Sequence, residues 1–190
     1  MDEIISQAKK YALDEIEKYG TPAPPHLDLA TAVAARLANV LGANVDIVQI
    51  GTYLMDLKLG EAAQAGKLVE HARLSAEAAR DFLAQFNLTN EISEQIVNCV
   101  EAHHGDLPYK SLEAEICANA DCYRFLHPRG FLVALAFLGK RYADFDECLD
   151  FIEKKLEEKH SILSLDTCKA ELEPHYQKLK EQIAQARQRE

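Results

Sequence analysis

The chain lacks the features that would place it in a membrane or outside the cell. No apolar run approaches the roughly 20 residues that a membrane-spanning helix requires, and the first residues, MDEIISQAKK, do not resemble a signal peptide. The five cysteines form no CxxC pair and are odd in number, which argues against a thiolate zinc site. We therefore expect a cytoplasmic protein in which most cysteines are small core residues.

Basic charge is also scarce. The chain carries 21 Lys and Arg against 31 Asp and Glu, a net charge of -10. This balance argues against nucleic acid or an anionic membrane as the main partner, because both attract basic surfaces. A chain of this length buries about 70 per cent of its unfolded surface in one core. We expect one globular unit with a C-terminal helical extension.

The sequence has no pattern typical of strands. Apolar residues recur at spacings of three and four rather than two, which indicates helices throughout. Gly20 and Gly42 are positioned to end the first two helices, and Ser111 is positioned to cap a later one. The polar interval from 60 to 67 and the segment from 127 to 130 predict breaks. Beyond them we predict helices over residues 131–142, 145–159 and 167–188, the first too apolar to be exposed.

Six residues that can bind metal lie on or beside the apolar faces of these helices. They are His26, Asp56, His71, His103, His104 and Asp121. A lone histidine on such a face is usually a core residue with a satisfied hydrogen bond. A set of four histidines and two inward carboxylates is different, because one shared cation relieves the cost of burying all of them. The pattern therefore predicts a metal site between helices.

This ordered set, with the segments HARLSAEAARDFL and IVNCVEAHHGD, resembles the HD superfamily of metal-dependent phosphohydrolases. The resemblance runs from about residue 24 to 126 and implies an all-α, HD-like helical bundle. It divides the chain into an HD-type metal-binding domain, residues 1–126, and a C-terminal helical extension, residues 127–190. The resemblance also implies two metal positions. One uses His26, the residue at position 55, Asp56 and Asp121, and the other uses Asp56, His71, His103 and His104.

Met55 departs from the family pattern, because a histidine precedes the aspartate in most HD proteins. A thioether is a weak, soft ligand for the metals that HD proteins use. We therefore expect one divalent transition metal per chain (Fe, Mn, Co, Ni or Zn) in preference to two. It would be held by Asp56 and the three later histidines, and Met55→His would raise the metal content toward two.

The resemblance implies hydrolysis of a phosphate ester, of a nucleotide or a similar small metabolite, by metal-activated water. Asp56 is the expected catalytic carboxylate. Arg124 follows Asp121 by three residues, so it shares a helical side with it and is the best candidate for holding phosphate. The alternative is a degenerate HD domain that binds metal or nucleotide as a sensor or interaction module. The apolar stripe of the last helix leaves a homodimer contact open.

Overall fold

The computed structural model describes residues 1–188, and over this range the chain is all-α, as the sequence predicts. The helices are α1 (Asp2–Tyr19), α2 (Pro24–Leu41), α3 (Val45–Leu54), α4 (Leu59–Gln64), α5 (His71–Leu83), α6 (Asn90–Glu101), α7 (Leu112–Leu126), α8 (Pro128–Leu138), α9 (Phe145–Ile162) and α10 (Asp166–Ala186). A short 3-10 helix, Leu68–Glu70, precedes α5. No helix within residues 1–188 combines the length and apolar character needed to cross a bilayer.

The helix ends follow local sequence signals. Gly20 and Gly42 adopt left-handed conformations, with φ of 71° and 73°, and end α1 and α2. The Ser111 hydroxyl accepts a hydrogen bond from the Ala114 N–H and caps α7, as predicted. These local signals fix where the long helices start and stop.

Several helix boundaries differ from the sequence-based prediction: the last three helices are observed at Pro128–Leu138, Phe145–Ile162 and Asp166–Ala186, and two predicted breaks are largely helical. The polar interval after Leu57 contains α4, because its Glu, Ala and Gln residues favour helix despite the missing apolar stripe. The predicted break from 127 to 130 is reduced to His127, because Pro128 is already the first residue of α8. Proline suits that position, and the His127 side chain accepts from the Arg129 N–H at the same helix start.

Helix α7 lies at the centre of the bundle and contacts α2, α3, α6, α8, α9 and α10. Its small buried residues, such as Ala114 and Ala118, let these neighbours approach closely. Gly130 of α8 lies close against the end of α7, because a Cβ there would lie 2.4 Å from the Tyr123 carbonyl oxygen. All five cysteines are buried and unpaired by disulfides, in agreement with their expected core role.

The C-terminal helices share one core with the rest of the chain. A single cluster of buried apolar residues extends from Ile4 in α1 to Ile183 in α10. Helix α8 buries Phe131 and Leu138, as predicted. Leu132 of the same helix is 64% exposed, so the prediction that this residue is buried is wrong. It lies on the face of α8 turned away from that core. The apolar stripe of α10 is buried within the chain, against α7 and α9, which leaves little of it for a dimer contact.

Candidate metal centre

Five of the six predicted ligands lie at or just beyond the ends of helices, and the sixth, Asp121, lies within α7. His26 lies in the first turn of α2, Asp56 follows α3, His71 begins α5, His103 and His104 follow α6, and Asp121 lies within α7. Each is buried except His104, which is partly exposed. Helix ends can bring ligands together because their side chains project past the neighbouring backbone.

Three histidines and one carboxylate form a compact group. His71, His103 and His104 each offer a ring nitrogen within 4.8 Å of the others. The Nε2 atoms of His71 and His104 lie 3.0 Å apart. Oδ1 of Asp56 lies 3.5 Å from Nε2 of His71 and 3.7 Å from Nε2 of His103. The three histidines are therefore close enough to share one ion, and the Asp56 carboxylate adjoins two of them.

Backbone carbonyls orient two of these rings. Nδ1 of His71 lies 2.7 Å from the Leu68 carbonyl oxygen, and Nδ1 of His103 lies 2.6 Å from that of Val100. A carbonyl only accepts, so both rings carry their proton on Nδ1 and present an Nε2 lone pair to the group. This is the usual arrangement of a metal-binding histidine.

Two atoms of the group are buried without a partner. Within residues 1–188, neither Oδ1 of Asp56 nor Nε2 of His103 makes a hydrogen bond. Leaving a buried acceptor unpaired costs free energy that a bound cation would recover. The donor set, three imidazoles and a carboxylate, fits the divalent transition metals expected from the sequence.

His104 is held differently from the other two histidines. Its Nδ1 lies 3.2 Å from Nζ of Lys159, which donates to it, so the His104 proton sits on Nε2 and points toward His71. To bind a metal through Nε2, the ring must carry its proton on Nδ1 instead. Oε1 of Glu158 lies 3.6 Å from Nδ1, so a small movement of either side chain would be needed for it to accept that proton.

The other two predicted ligands are engaged elsewhere. His26 lines the same cavity as Asp56 and His71, but its Nε2 lies 2.9 Å from the Gly130 carbonyl oxygen and donates to it. Asp121 is fully buried, and its two carboxylate oxygens each face a cation rather than a histidine. The structure therefore brings four predicted ligands into one group and leaves two beside it.

Arg124 is part of this centre rather than a surface charge. Its guanidinium pairs with Oδ2 of Asp56, and its Nε lies 2.8 Å from Oδ1 of Asp121. The second contact is close but does not have hydrogen-bond geometry, so we describe it as an ion pair. Arg124 thus joins the two carboxylates of the centre.

Lys159 of α9 is a member of the centre that the sequence argument missed. Its side chain is 1% exposed, and its Nζ lies 2.6 Å from Oδ2 of Asp121. The available signal was its position on the apolar stripe of α9, at helical spacing from Ile152 and Leu156. A lysine on a buried stripe requires a nearby anion, but periodicity does not say which one.

Burial and charge shift the pKa values of the centre in opposite directions. Burial opposes the charged form of Asp56, but Arg124 and His71 outweigh it and hold its pKa well below the ordinary value. Burial lowers the pKa of His103 to about 3, reinforced by His104. Burial also lowers the pKa of His26 to about 4, with a contribution from Arg124. The carboxylate is therefore ionised and these two imidazoles are neutral at neutral pH, the forms that bind metal.

The group opens into a cavity of about 160 Å³ between the first seven helices and the C-terminal ones. Phe125, Phe137 and Phe151 line it, together with Arg141 and Lys155. The cavity therefore places an apolar wall and two further cations next to the histidines.

The sequence profile of the HD domain family matches residues 26–126, just over half of the chain. This chain belongs to the HD domain family. The matched range contains all six predicted ligands and excludes Lys159. Ribonuclease Y of Finegoldia magna is 30% identical over 110 residues, which are 58% of this chain and 20% of that protein. This HD protein thus spans about a fifth of the length of that relative.

Two solved structures share the fold of nearly the whole HD protein. Bacillus subtilis YpgQ, solved in complex with ADP, has a TM-score of 0.68 and 19% identity, and the match covers 97% of this chain and 93% of YpgQ. A protein from an uncultured Thermotogales bacterium, described as a predicted HD superfamily hydrolase, has a TM-score of 0.67 and 18% identity, and the match covers 95% of this chain and 89% of that protein. These likenesses establish the fold, and they include the C-terminal helices.

Proposed function

We propose that this HD protein is a phosphohydrolase that uses one divalent transition metal to cleave a phosphate ester of a nucleotide or similar small metabolite. The observation that carries the proposal is the group of three histidine rings, two of which, His71 and His103, also approach the unpaired Oδ1 of Asp56. A metal bound there supplies a hydroxide at neutral pH and a positive charge for the phosphoryl oxygens.

The protein's own residues prepare the site for such a substrate. The two carboxylate oxygens of Asp56 have different neighbours: Oδ2 pairs with Arg124, and Oδ1 faces the histidines. Lys155 and Arg141 line the cavity and are positioned to bind phosphate oxygens from its opening. The phenylalanines beside them exclude water and offer a face for an apolar or aromatic leaving group.

The size and charge of the molecule favour a small substrate. A cavity of about 160 Å³ is below the range of roughly 300 to 1,000 Å³ that encloses a complete drug-sized ligand. It accommodates the phosphoryl group and part of its organic substituent. The net charge of -10 disfavours RNA despite the likeness to Ribonuclease Y. The ADP complex of YpgQ supports a nucleotide as the class to test first.

The first experiment measures metal content and turnover together. Purified protein is analysed for bound metal and then screened against nucleotides and other phosphoesters with added Mn, Fe, Mg, Co or Ni. We expect about one metal per chain and turnover that Asp56→Asn lowers by roughly 100-fold or more, because the carboxylate fixes the position of the ion. Asp106→Asn, at an exposed loop carboxylate, is the matched control.

A histidine pair tests the metal site without turnover. His103→Gln should lose the bound metal, because the ring is fully buried and its Nε2 faces Asp56. His175→Gln should keep it, since His175 lies on α10 and does not line the cavity. Equal metal content in the two variants would contradict the proposed site.

One observation favours a second candidate, a metal- or nucleotide-binding module without turnover. Met55 stands in place of the family's histidine, and Arg124 already pairs with Asp56, so this HD domain departs from a full catalytic set. Binding of metal and ADP by calorimetry with no turnover of any tested phosphoester would establish that function instead.

A further inference from the structure

Two cations of the protein occupy the half of the centre that Met55 has altered. Arg124 pairs with both Asp56 and Asp121, Lys159 pairs with Asp121, and both cations are almost fully buried. We propose that these two side chains replace a metal ion between the two aspartates, so that the pocket admits metal only at the three histidines. The inference rests on the metal-binding part of the proposed function and not on turnover.

Three of the four carboxylate oxygens face a cation, and the two oxygens of Asp121 do so as ion pairs without hydrogen-bond geometry. Oδ2 of Asp56 pairs with Arg124, Oδ1 of Asp121 lies 2.8 Å from Nε of Arg124, and Oδ2 of Asp121 lies 2.6 Å from Nζ of Lys159. Oδ1 of Asp56 alone faces the histidines. A metal between the aspartates would need oxygens that the cations already hold.

The remaining positions around this half are closed as well. His26 donates its Nε2 proton to the Gly130 carbonyl, so that nitrogen has no lone pair to offer. Met55 is fully buried, and its thioether would be a weak ligand for the metals expected here. No imidazole of this half is therefore directed toward Asp56 or Asp121 through its Nε2.

The charges in this half already balance. Two buried carboxylates face two buried cations, one from α7 and one from α9. A divalent cation added between them would have no uncompensated negative charge to neutralise, and it would be repelled by both side chains at short range. The side chains of Arg124 and Lys159 thus supply the positive charge that a metal ion would otherwise supply, and they cannot dissociate from the protein.

One of the two replacing cations, Lys159, comes from outside the part of the chain that matches the HD family. It is 1% exposed, and it belongs to α9. Its ammonium also lies 3.2 Å from Nδ1 of His104, so it touches both halves of the centre. Met55→His alone leaves all three cation contacts in place. We therefore expect no second metal from that single change, in contrast to the expectation from sequence.

The test compares metal stoichiometry in the wild-type chain and in Arg124→Gln/Lys159→Met, measured by titration with Mn²⁺ or Co²⁺ and by elemental analysis. The double variant leaves two buried carboxylates without a counterion. Metal content should rise from about one to about two per chain, and the melting temperature should continue to rise with Mn²⁺ beyond saturation of the first site. Lys154→Met, at an exposed position of α9 outside the cavity lining, and Lys159→Arg should both retain the wild-type stoichiometry.

The outcomes separate this inference from the proposed function. Two metals in the wild-type chain would overturn the inference whether or not the double variant folds, and so would a folded double variant with unchanged stoichiometry. A third outcome is no metal in the wild-type chain and one metal in the double variant. This result would support the replacement of a metal by Arg124 and Lys159, but it would overturn the three-histidine site. Should the double variant not fold, Lys159→Met alone is examined with added Mn²⁺. Folding of this variant that is restored by Mn²⁺ supports the inference. A variant that does not bind the additional Mn²⁺ overturns it.

Discussion

At the residue scale, His26 shows how a predicted ligand takes a structural role. Its Nε2 proton is donated to the Gly130 carbonyl oxygen, and its ring lies against Phe125, with ring centroids 5.6 Å apart. This contact ties the start of α2 to the first turn of α8. The neutral ring satisfies it, and the burial that lowers the pKa of His26 to about 4 disfavours its protonation. His26 should therefore make the stability of the chain depend on pH.

We expect the free energy of unfolding to fall as pH drops from about 6.5 to about 4. Between these values the unfolded chain, with an ordinary histidine pKa, binds a proton that folded His26 does not. From pH 7.5 to pH 5 the loss due to His26 is about 2 kcal/mol. His26→Gln, which keeps a donor for Gly130 but does not titrate, should reduce the dependence by that amount. Urea unfolding in the presence of a chelator measures it.

The control for this prediction is Asn39→Gln on α2, at an exposed side chain. It changes no titratable group, so it should leave the pH dependence of unfolding as in the wild-type chain. The same slope in wild type and His26→Gln would show that His26 titrates normally in the folded chain.

At the element scale, Asn119 joins α7 to the turn between α9 and α10. Its Oδ1 accepts hydrogen bonds from the Ser164 and Leu165 N–H groups, at 3.1 and 3.2 Å. Its Nδ2 donates to the Glu115 carbonyl and to the Ser164 hydroxyl. One buried amide thus satisfies the backbone where α9 ends and α10 begins.

Asn119→Ala should lower the free energy of unfolding by about 2 kcal/mol, because it leaves two backbone N–H groups unpaired. The amides of Ser164 and Leu165 should also exchange hydrogen faster. Asn39→Ala on α2 is the matched control, since that exposed side chain donates only to the Ala35 carbonyl within its own helix. Equal stability of the two variants would mean that water replaces Asn119 without cost.

At the scale of the whole molecule, the HD match ends inside a shared core. The match stops at residue 126, but the buried cluster continues through α8, α9 and α10. Lys159 also neutralises Asp121 across this boundary. The C-terminal helices therefore cover α7 and complete the charge balance of the centre.

Truncation after Leu126 should give an insoluble or molten product. Removing α8–α10 exposes one side of α7 and leaves Asp121 without its lysine, so helical signal in the far-ultraviolet should persist while near-ultraviolet signal and cooperative unfolding are lost. A chain ending at Arg187 keeps all ten helices and serves as the control. A soluble fragment 1–126 that unfolds cooperatively would contradict this prediction.

The sequence by itself determined the helices, their main ends and the family. Helical spacing, Gly20, Gly42 and the Ser111 cap are local signals, and each acts within one or two turns of chain. The ordered ligand set likewise identified the HD family without any distances. Local signals failed at α4, where helix propensity outweighed the missing apolar stripe.

Only the tertiary structure decided which side chains meet. Periodicity predicts that a face is buried, but the partner on that face depends on how helices distant in sequence pack. In the folded chain, the group formed by His71, His103 and His104 lies beside Asp56. His26 donates to the Gly130 carbonyl oxygen, and Lys159 pairs with Asp121, which lies 38 positions earlier in the chain. The ionic partner of a buried charge is fixed by distances of a few ångströms, and these exist only after the helices have packed.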